Sequence, residues 1–228
     1  MSTPPLPLLP IPPADLPLFK SLNTYVHTYM SHYDASHDYT HILRVLSTTH
    51  KLYLSELNTP QPNPPPYNPT ILFLSALLHD VGDHKYAPQG QDTTTLIADL
   101  LLHHGASPDL ANSVQDIVKC VSYTHERRNP ALVQEMLLKH PELAIVQDAD
   151  RLDALGAVGI ARCFSYGAAK CPGEGMERAV CHFGEKLFGL EGLMKTRGGR
   201  EMAGRRTEVL RGFEREWRGE VELSFALE

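Results

Sequence analysis

The 228-residue chain has no Cys-x-x-Cys pair among Cys120, Cys163, Cys171 and Cys181, which argues against a structural zinc site of that type. It has no apolar run long enough to span a bilayer. No secretory leader is expected either, since the first basic residue is Lys20 and prolines interrupt the apolar stretch before it. Positive charge is not in excess. The balance of 21 Lys and Arg against 27 Asp and Glu gives a net charge of −6, the wrong sign for a general nucleic-acid surface. Alternating strand patterns are nearly absent. These absences predict a soluble, cytoplasmic, helical protein with reduced thiols and with neither nucleic acid nor membrane as partner. A small phosphorylated ligand stays compatible, because a local basic pocket can sit on an acidic protein.

Proline, by contrast, is abundant and clustered. Seven of the 18 prolines lie in the first 17 residues and six more between Pro60 and Pro69. The first cluster predicts a proline-rich leader, residues 1–15, lying on or near the surface and dispensable for the fold. The second, NTPQPNPPPYNP over residues 58–69, predicts a loop between two helices. Residues 16–228 read as one compact all-α domain, a helical bundle. Helical spacing is expected over 16–30, 39–57, 92–103, 107–123, 130–139, 143–153, 155–166, 177–194 and 199–217. A further helix starts at Asn68-Pro69 and runs into His79-Asp80, where Val81-Gly82 ends or bends it.

Three segments carry candidate chemistry. With 12 histidines and 12 aspartates, about 0.6 His-Asp dipeptides are expected by chance, so the two present, His37-Asp38 and His79-Asp80, prove little alone. The second ends an apolar helix, SALLHD, where an imidazole and a carboxylate can converge on one ion placed over the helix end. Asp83 follows His79 by four residues and shares its face if the turn stays helical. In HDYTHILRV, His37, His41 and Arg44 can share a helix face. In VQDADRLDALGAVGIAR, Asp148, Asp150 and Asp153 sit in a small, apolar setting, where buried acids need a cation or several hydrogen bonds. The plainer readings are a solvated helix end, a half-buried His41 with a surface Arg44, and Asp148 or Asp153 as a helix cap.

A histidine, then His-Asp, then a distant aspartate resembles the signature of the HD-domain metal-dependent phosphohydrolases. HDYTHILRV, ALLHDVGDHKY, VQDADRLDALGAVGIAR, HFGEKL and KTRGGREMAGRR resemble, in order, the blocks of the bacterial HD-domain nucleotide pyrophosphohydrolases and related fungal proteins. The resemblance runs from about Ser21 to Trp217 and is most specific in the DADRLDALGAVGIAR block. It implies one divalent transition metal (Mn, Ni, Co, Fe or Zn) held by His41, His79, Asp80 and Asp150. It implies catalytic roles for Asp83, beside the attacking water, and for Lys85. Arg44, Lys186 and Arg206 match basic positions and are expected at the substrate phosphate. The expected substrate is a nucleotide, cut as a (deoxy)nucleoside triphosphate with release of pyrophosphate. The alternatives are a nucleoside monophosphate phosphatase, a two-iron HD-domain oxygenase and a non-catalytic nucleotide sensor. The oxygenase would need ligands such as His103, His104 and His125. The resemblance disfavours these, because SYTHE matches a nucleotidase block in which that histidine is not a ligand. His182, ahead of an apolar helix, is read as structural, with a place in the pocket lining as the alternative. The proline loop is an addition to the group's pattern, and the segment 167–182 is shorter than in the group. A homodimer is left open.

Overall fold

The computed structural model describes residues 4–59, 65–82 and 94–226, and these contain helices and no strands. The helices are α1 (Leu16–Met30), α2 (Tyr39–Asn58), α3 (Pro69–Leu78), α4 (Leu96–His103), α5 (Pro108–Val121) and α6 (Tyr123–Arg128). They continue with α7 (Pro130–Lys139), α8 (Glu142–Asp153), α9 (Gly156–Lys170), α10 (Glu177–Glu185), a 3₁₀ segment (Leu187–Leu193) and α11 (Arg197–Glu220). The all-α expectation holds.

Local chemistry fixes the helix starts. Asp38 accepts hydrogen bonds from the amides of Thr40 and His41 at 3.0 and 3.2 Å, so the first His-Asp dipeptide caps α2. Asn68 caps α3 in the same way ahead of Pro69, and Ser107 caps α5 ahead of Pro108. At its far end α3 gives way at Gly82, whose φ of 78° is left-handed and ends the helix beyond His79-Asp80. Two expected helices are broken. The one over 107–123 stops at Ser122, which takes ψ 131° and starts α6 in a new direction. The one over 177–194 stops at Lys186 and continues as the 3₁₀ segment, because Gly189 and Gly192 weaken α-helix there. Of the proline loop, residues 60–64 lie outside the described residues.

The core forms around α3 and α8. Thr70, Leu72, Phe73, Leu74, Ser75, Ala76, Leu77 and Leu78 of α3 are all buried, as a helix apolar on every side must be. The helix α8 packs against α2, α3, α5, α7, α9 and α11, and buries Asp148, Arg151 and Asp153 with its apolar residues.

The leader lies against the domain. Ile11 is buried and belongs to the hydrophobic core. The Pro5 carbonyl accepts from Asn23 Nδ2 at 3.1 Å, and Asp15 accepts from the Thr70 hydroxyl at 2.5 Å. Proline excludes this segment from a helix, yet it does not stop an extended chain from covering apolar surface on α1 and α3. Ile11→Ala should therefore cost about 2 kcal/mol, the low end for truncating a core isoleucine, read as a lower midpoint in urea unfolding. An unchanged midpoint would restore the leader as dispensable.

Candidate metal centre and its cavity

Three helices bring the expected ligands together. His41 comes from the first turn of α2, His79 and Asp80 from the end of α3, and Asp150 from α8. His41, His79 and Asp150 offer ligand atoms that all lie within 4.8 Å of one another. His41 Nε2 is 3.1 Å from His79 Nε2 and 3.2 Å from Asp80 Oδ2. His79 Nε2 is 3.5 Å from Asp80 Oδ1, and both imidazoles are 3.7 Å from Asp150 Oδ1.

The ring protons are held outside this cluster. His41 Nδ1 lies 2.7 Å from Asp153 Oδ2, and His79 Nδ1 lies 2.9 Å from the Ala76 carbonyl, so each acceptor keeps a proton on Nδ1. Both Nε2 lone pairs then face the same point, which is repulsive unless a cation lies between them. The Asp80 Oδ2 atom is buried and lacks a hydrogen-bond donor. Donors sharing one ion at about 2.0–2.2 Å stand about 2.9–3.4 Å apart, and the shorter separations here fall in that range. This donor set of imidazole nitrogen and carboxylate oxygen fits a divalent transition metal.

Asp153 and its partners set the site from behind. Asp153 accepts from Arg44 Nε and a terminal nitrogen at 2.8 and 2.9 Å, and from Arg162 at 3.0 Å. Burial alone would push the Asp153 carboxyl up, but His41, Arg44 and Arg162 hold it well below the usual carboxylate range. Burial and Arg162 push the His41 ring down, while Asp153 and Asp80 outweigh them and raise it. Burial likewise pushes Asp80 up, but His79 and His41 draw it well below the usual range. The pocket thus favours positive charge between its carboxylates.

Arg44 is therefore turned away from its expected phosphate role: its guanidinium is used on Asp153 and on Thr40 Oγ1. Arg206 is also elsewhere. It donates to the Leu152 carbonyl and lies across Gly156, where a Cβ would come within 3.2 Å of its side chain. Lys186 does reach the cavity, with Nζ 5.1 Å from the centre of the Tyr123 ring. Asp83 and Lys85 lie outside the described residues. His104 hydrogen-bonds Ser21 and packs edge-on to Tyr25 of α1, with His103 beside it. Among the described residues, neither joins the metal group. His182 lines the cavity, the alternative place the sequence left for it.

The metal cluster opens on a cavity of about 670 Å³. Among the described residues its lining holds six cations, Lys119, Arg128, Arg151, Arg162, Arg178 and Lys186, against two carboxylates, Asp80 and Asp150. In a chain of net charge −6 this is a local site for an anion. Sequence spacing missed most of these groups. Only Lys186 was singled out: Arg151 and Arg162 stand inside the VQDADRLDALGAVGIAR block but were passed over for its aspartates, and Lys119, Arg128 and Arg178 come from separate helices outside any block.

A family model for the HD domain matches residues 38–155, the stretch that carries all four expected ligands. The chain belongs to the HD-domain family. It is 31% identical over 201 residues to YpgQ of Bacillus subtilis, covering 86% of this chain and 90% of that protein. The crystal structure of Bacillus subtilis YpgQ in complex with ADP is similar at TM-score 0.68 and 28% identity, covering 91% of this chain and 96% of that one. An HD-superfamily hydrolase from Bacillus thuringiensis is similar at TM-score 0.63 and 28% identity, covering 88% and 95%. This HD-domain protein is a metal-dependent phosphohydrolase, and His41, His79 and Asp150 are grouped as possible ligands of a divalent metal.

Proposed function

We propose that this enzyme hydrolyses nucleotides, taking a (deoxy)nucleoside triphosphate and releasing pyrophosphate. The observation that carries the reading is the basic cavity opening directly on the metal cluster, in a protein that is acidic overall. The ADP bound to the similar YpgQ supports a nucleotide as the occupant.

Asp80 completes the ligand set with His41, His79 and Asp150. One transition-metal ion, such as Mn, would lower the pKa of a water and polarise the phosphorus under attack. The protein supplies the rest. Arg162 and Lys186 line the cavity and offset charge that builds on the phosphate oxygens. Asp83 follows the ligand Asp80 by three residues, a reach of at most about 10 Å, and takes the proton of the attacking water. The water oxygen bonds to the α-phosphorus, the bond from that phosphorus to the α–β bridging oxygen breaks, and the electron pair leaves with pyrophosphate. Lys85, two residues further on, is the cation assigned to that leaving group.

Product analysis on a nucleotide panel with Mn added tests the reading. Nucleoside monophosphate and pyrophosphate from triphosphates are expected. Nucleoside and inorganic phosphate from monophosphates, with no pyrophosphate from any triphosphate, would move the enzyme to the nucleotidases. Asp83→Asn is expected to keep its metal and lose at least about tenfold in turnover, measured by metal analysis beside kcat. An unchanged kcat would remove Asp83 from the catalytic residues.

A further inference from the structure

The six cavity cations differ in what they already hold. Arg151 is paired with Glu126, Arg162 with Asp153 and Arg178 with Glu174. Lys186 sits over the Tyr123 ring. Lys119, near the end of α5, and Arg128, at the end of α6, line the cavity, and among the described residues their side chains form no hydrogen bond or ion pair. Between them in sequence is His125, whose Nε2 is buried and has no hydrogen-bond partner. Burial and the Lys119 charge both push this imidazole below its usual range.

We propose that Lys119, His125 and Arg128 form a second anion subsite at the α5–α6 end of the cavity, which takes the terminal phosphates of a polyphosphate substrate. The proposal rests on the nucleotide reading above and says which wall of the cavity holds the phosphate tail. An anion gains most from cations that no carboxylate already neutralises, and here these are Lys119 and Arg128. A buried imidazole nitrogen with no partner is costly until a ligand pairs with it.

The subsite is also tied to the metal cluster. Glu126, next to His125, accepts from Arg151 and from Lys195 Nζ, the latter at 3.1 Å. Arg151 directly follows the ligand Asp150 and donates to the Leu193 carbonyl at 3.2 Å. Buried Gln147 of α8 donates to the Cys120 carbonyl of α5 at 2.7 Å. These links hold α5 and α6 in place relative to the helix that carries Asp150. The distance between reacting phosphorus and terminal phosphate is then set by the fold, so the subsite selects for phosphate-chain length.

The test is titration of the metal-loaded full chain with three probes: inorganic tripolyphosphate, a nucleoside triphosphate with a non-hydrolysable α–β bridge, and the matching monophosphate. Lys119 and Arg128 are exposed, so Lys119→Gln and Arg128→Gln leave the core untouched. Each should weaken tripolyphosphate and the triphosphate analogue about tenfold, with the monophosphate changed less than about twofold. His125→Ala should act in the same direction. Lys139→Gln, which removes an exposed lysine paired with Asp116, is the charge control and should change none of the three. Equal losses on all probes, or no loss on tripolyphosphate, would overturn the subsite. If the variants lose tripolyphosphate selectively but the wild type cuts no nucleotide, the subsite stands and the nucleotide reading falls. If the wild type releases pyrophosphate and the variants keep its KM for triphosphate, the reverse holds.

Discussion

Asp80→Ala is expected to remove the divalent ion and to lower phosphohydrolase turnover by at least about a thousandfold, in keeping with the several kcal/mol that a metal supplies. Asp80 Oδ2 stands 3.2 Å from His41 Nε2, buried, without a hydrogen-bond donor. A carboxylate oxygen so placed is costly in ordinary packing, which is why the ligand role is proposed for it. Without it, His41, His79 and Asp150 remain, but the charge opposing a divalent ion falls from two carboxylates to one. Metal content of the purified variant, beside its rate with Mn added, checks this. Full occupancy in the variant would remove Asp80 from the ligand set.

The second large effect is expected at Asp153, which touches no substrate. Asp153→Asn keeps the volume and loses the charge that three partners share. His41 Nδ1, Arg44 and Arg162 all converge on this carboxylate, which is 96% buried by its side chain. An asparagine can present its NH₂ to His41 and so favour the wrong tautomer. Metal affinity should fall about 10–100-fold, the usual loss when a residue orienting a metal-bound histidine is changed. Removing one partner from a buried ion pair also costs about 3 kcal/mol of stability. The sign with pH follows from the depressed carboxyl: its contribution is present above the unfolded pKa of about 3.9 and is lost as pH falls toward the folded value. The stability gap between wild type and variant should therefore narrow below about pH 4. Metal titration at neutral pH and urea unfolding across the acid range measure the two effects. Wild-type metal affinity in Asp153→Asn would show that His41 is oriented by other contacts.

Much of this molecule was legible in its residues. The start signals at Asn68-Pro69 and Ser107-Pro108 place α3 and α5, and the apolar period places α2, without tertiary information, because a cap and a helix face are local; that Asp38 caps α2 came from the structure. His79-Asp80 at the end of an all-apolar helix likewise marks where a polar site can meet the core. The resemblance then singles out His41 and Asp150, and the fold brings them to that point.

What only the tertiary structure decided is how three aspartates within six residues divide their roles. On a helix, Asp148, Asp150 and Asp153 point in three directions, and what packs on each face is chosen by distant chain. Asp148 faces the start of α11, where it accepts from the Lys195 and Thr196 amides and the Thr196 hydroxyl and leaves no room for a Cβ at Gly199. Asp150 faces the two imidazoles, and Asp153 faces His41 from behind with two arginines. The same holds for the cations. Arg44 and Arg206 stand in recognisable blocks yet serve the scaffold, while Lys119 and Arg128 stand in none and line the cavity. Spacing along a helix fixes a direction, but the sign and shape of what waits there depend on contacts across more than a hundred residues of sequence.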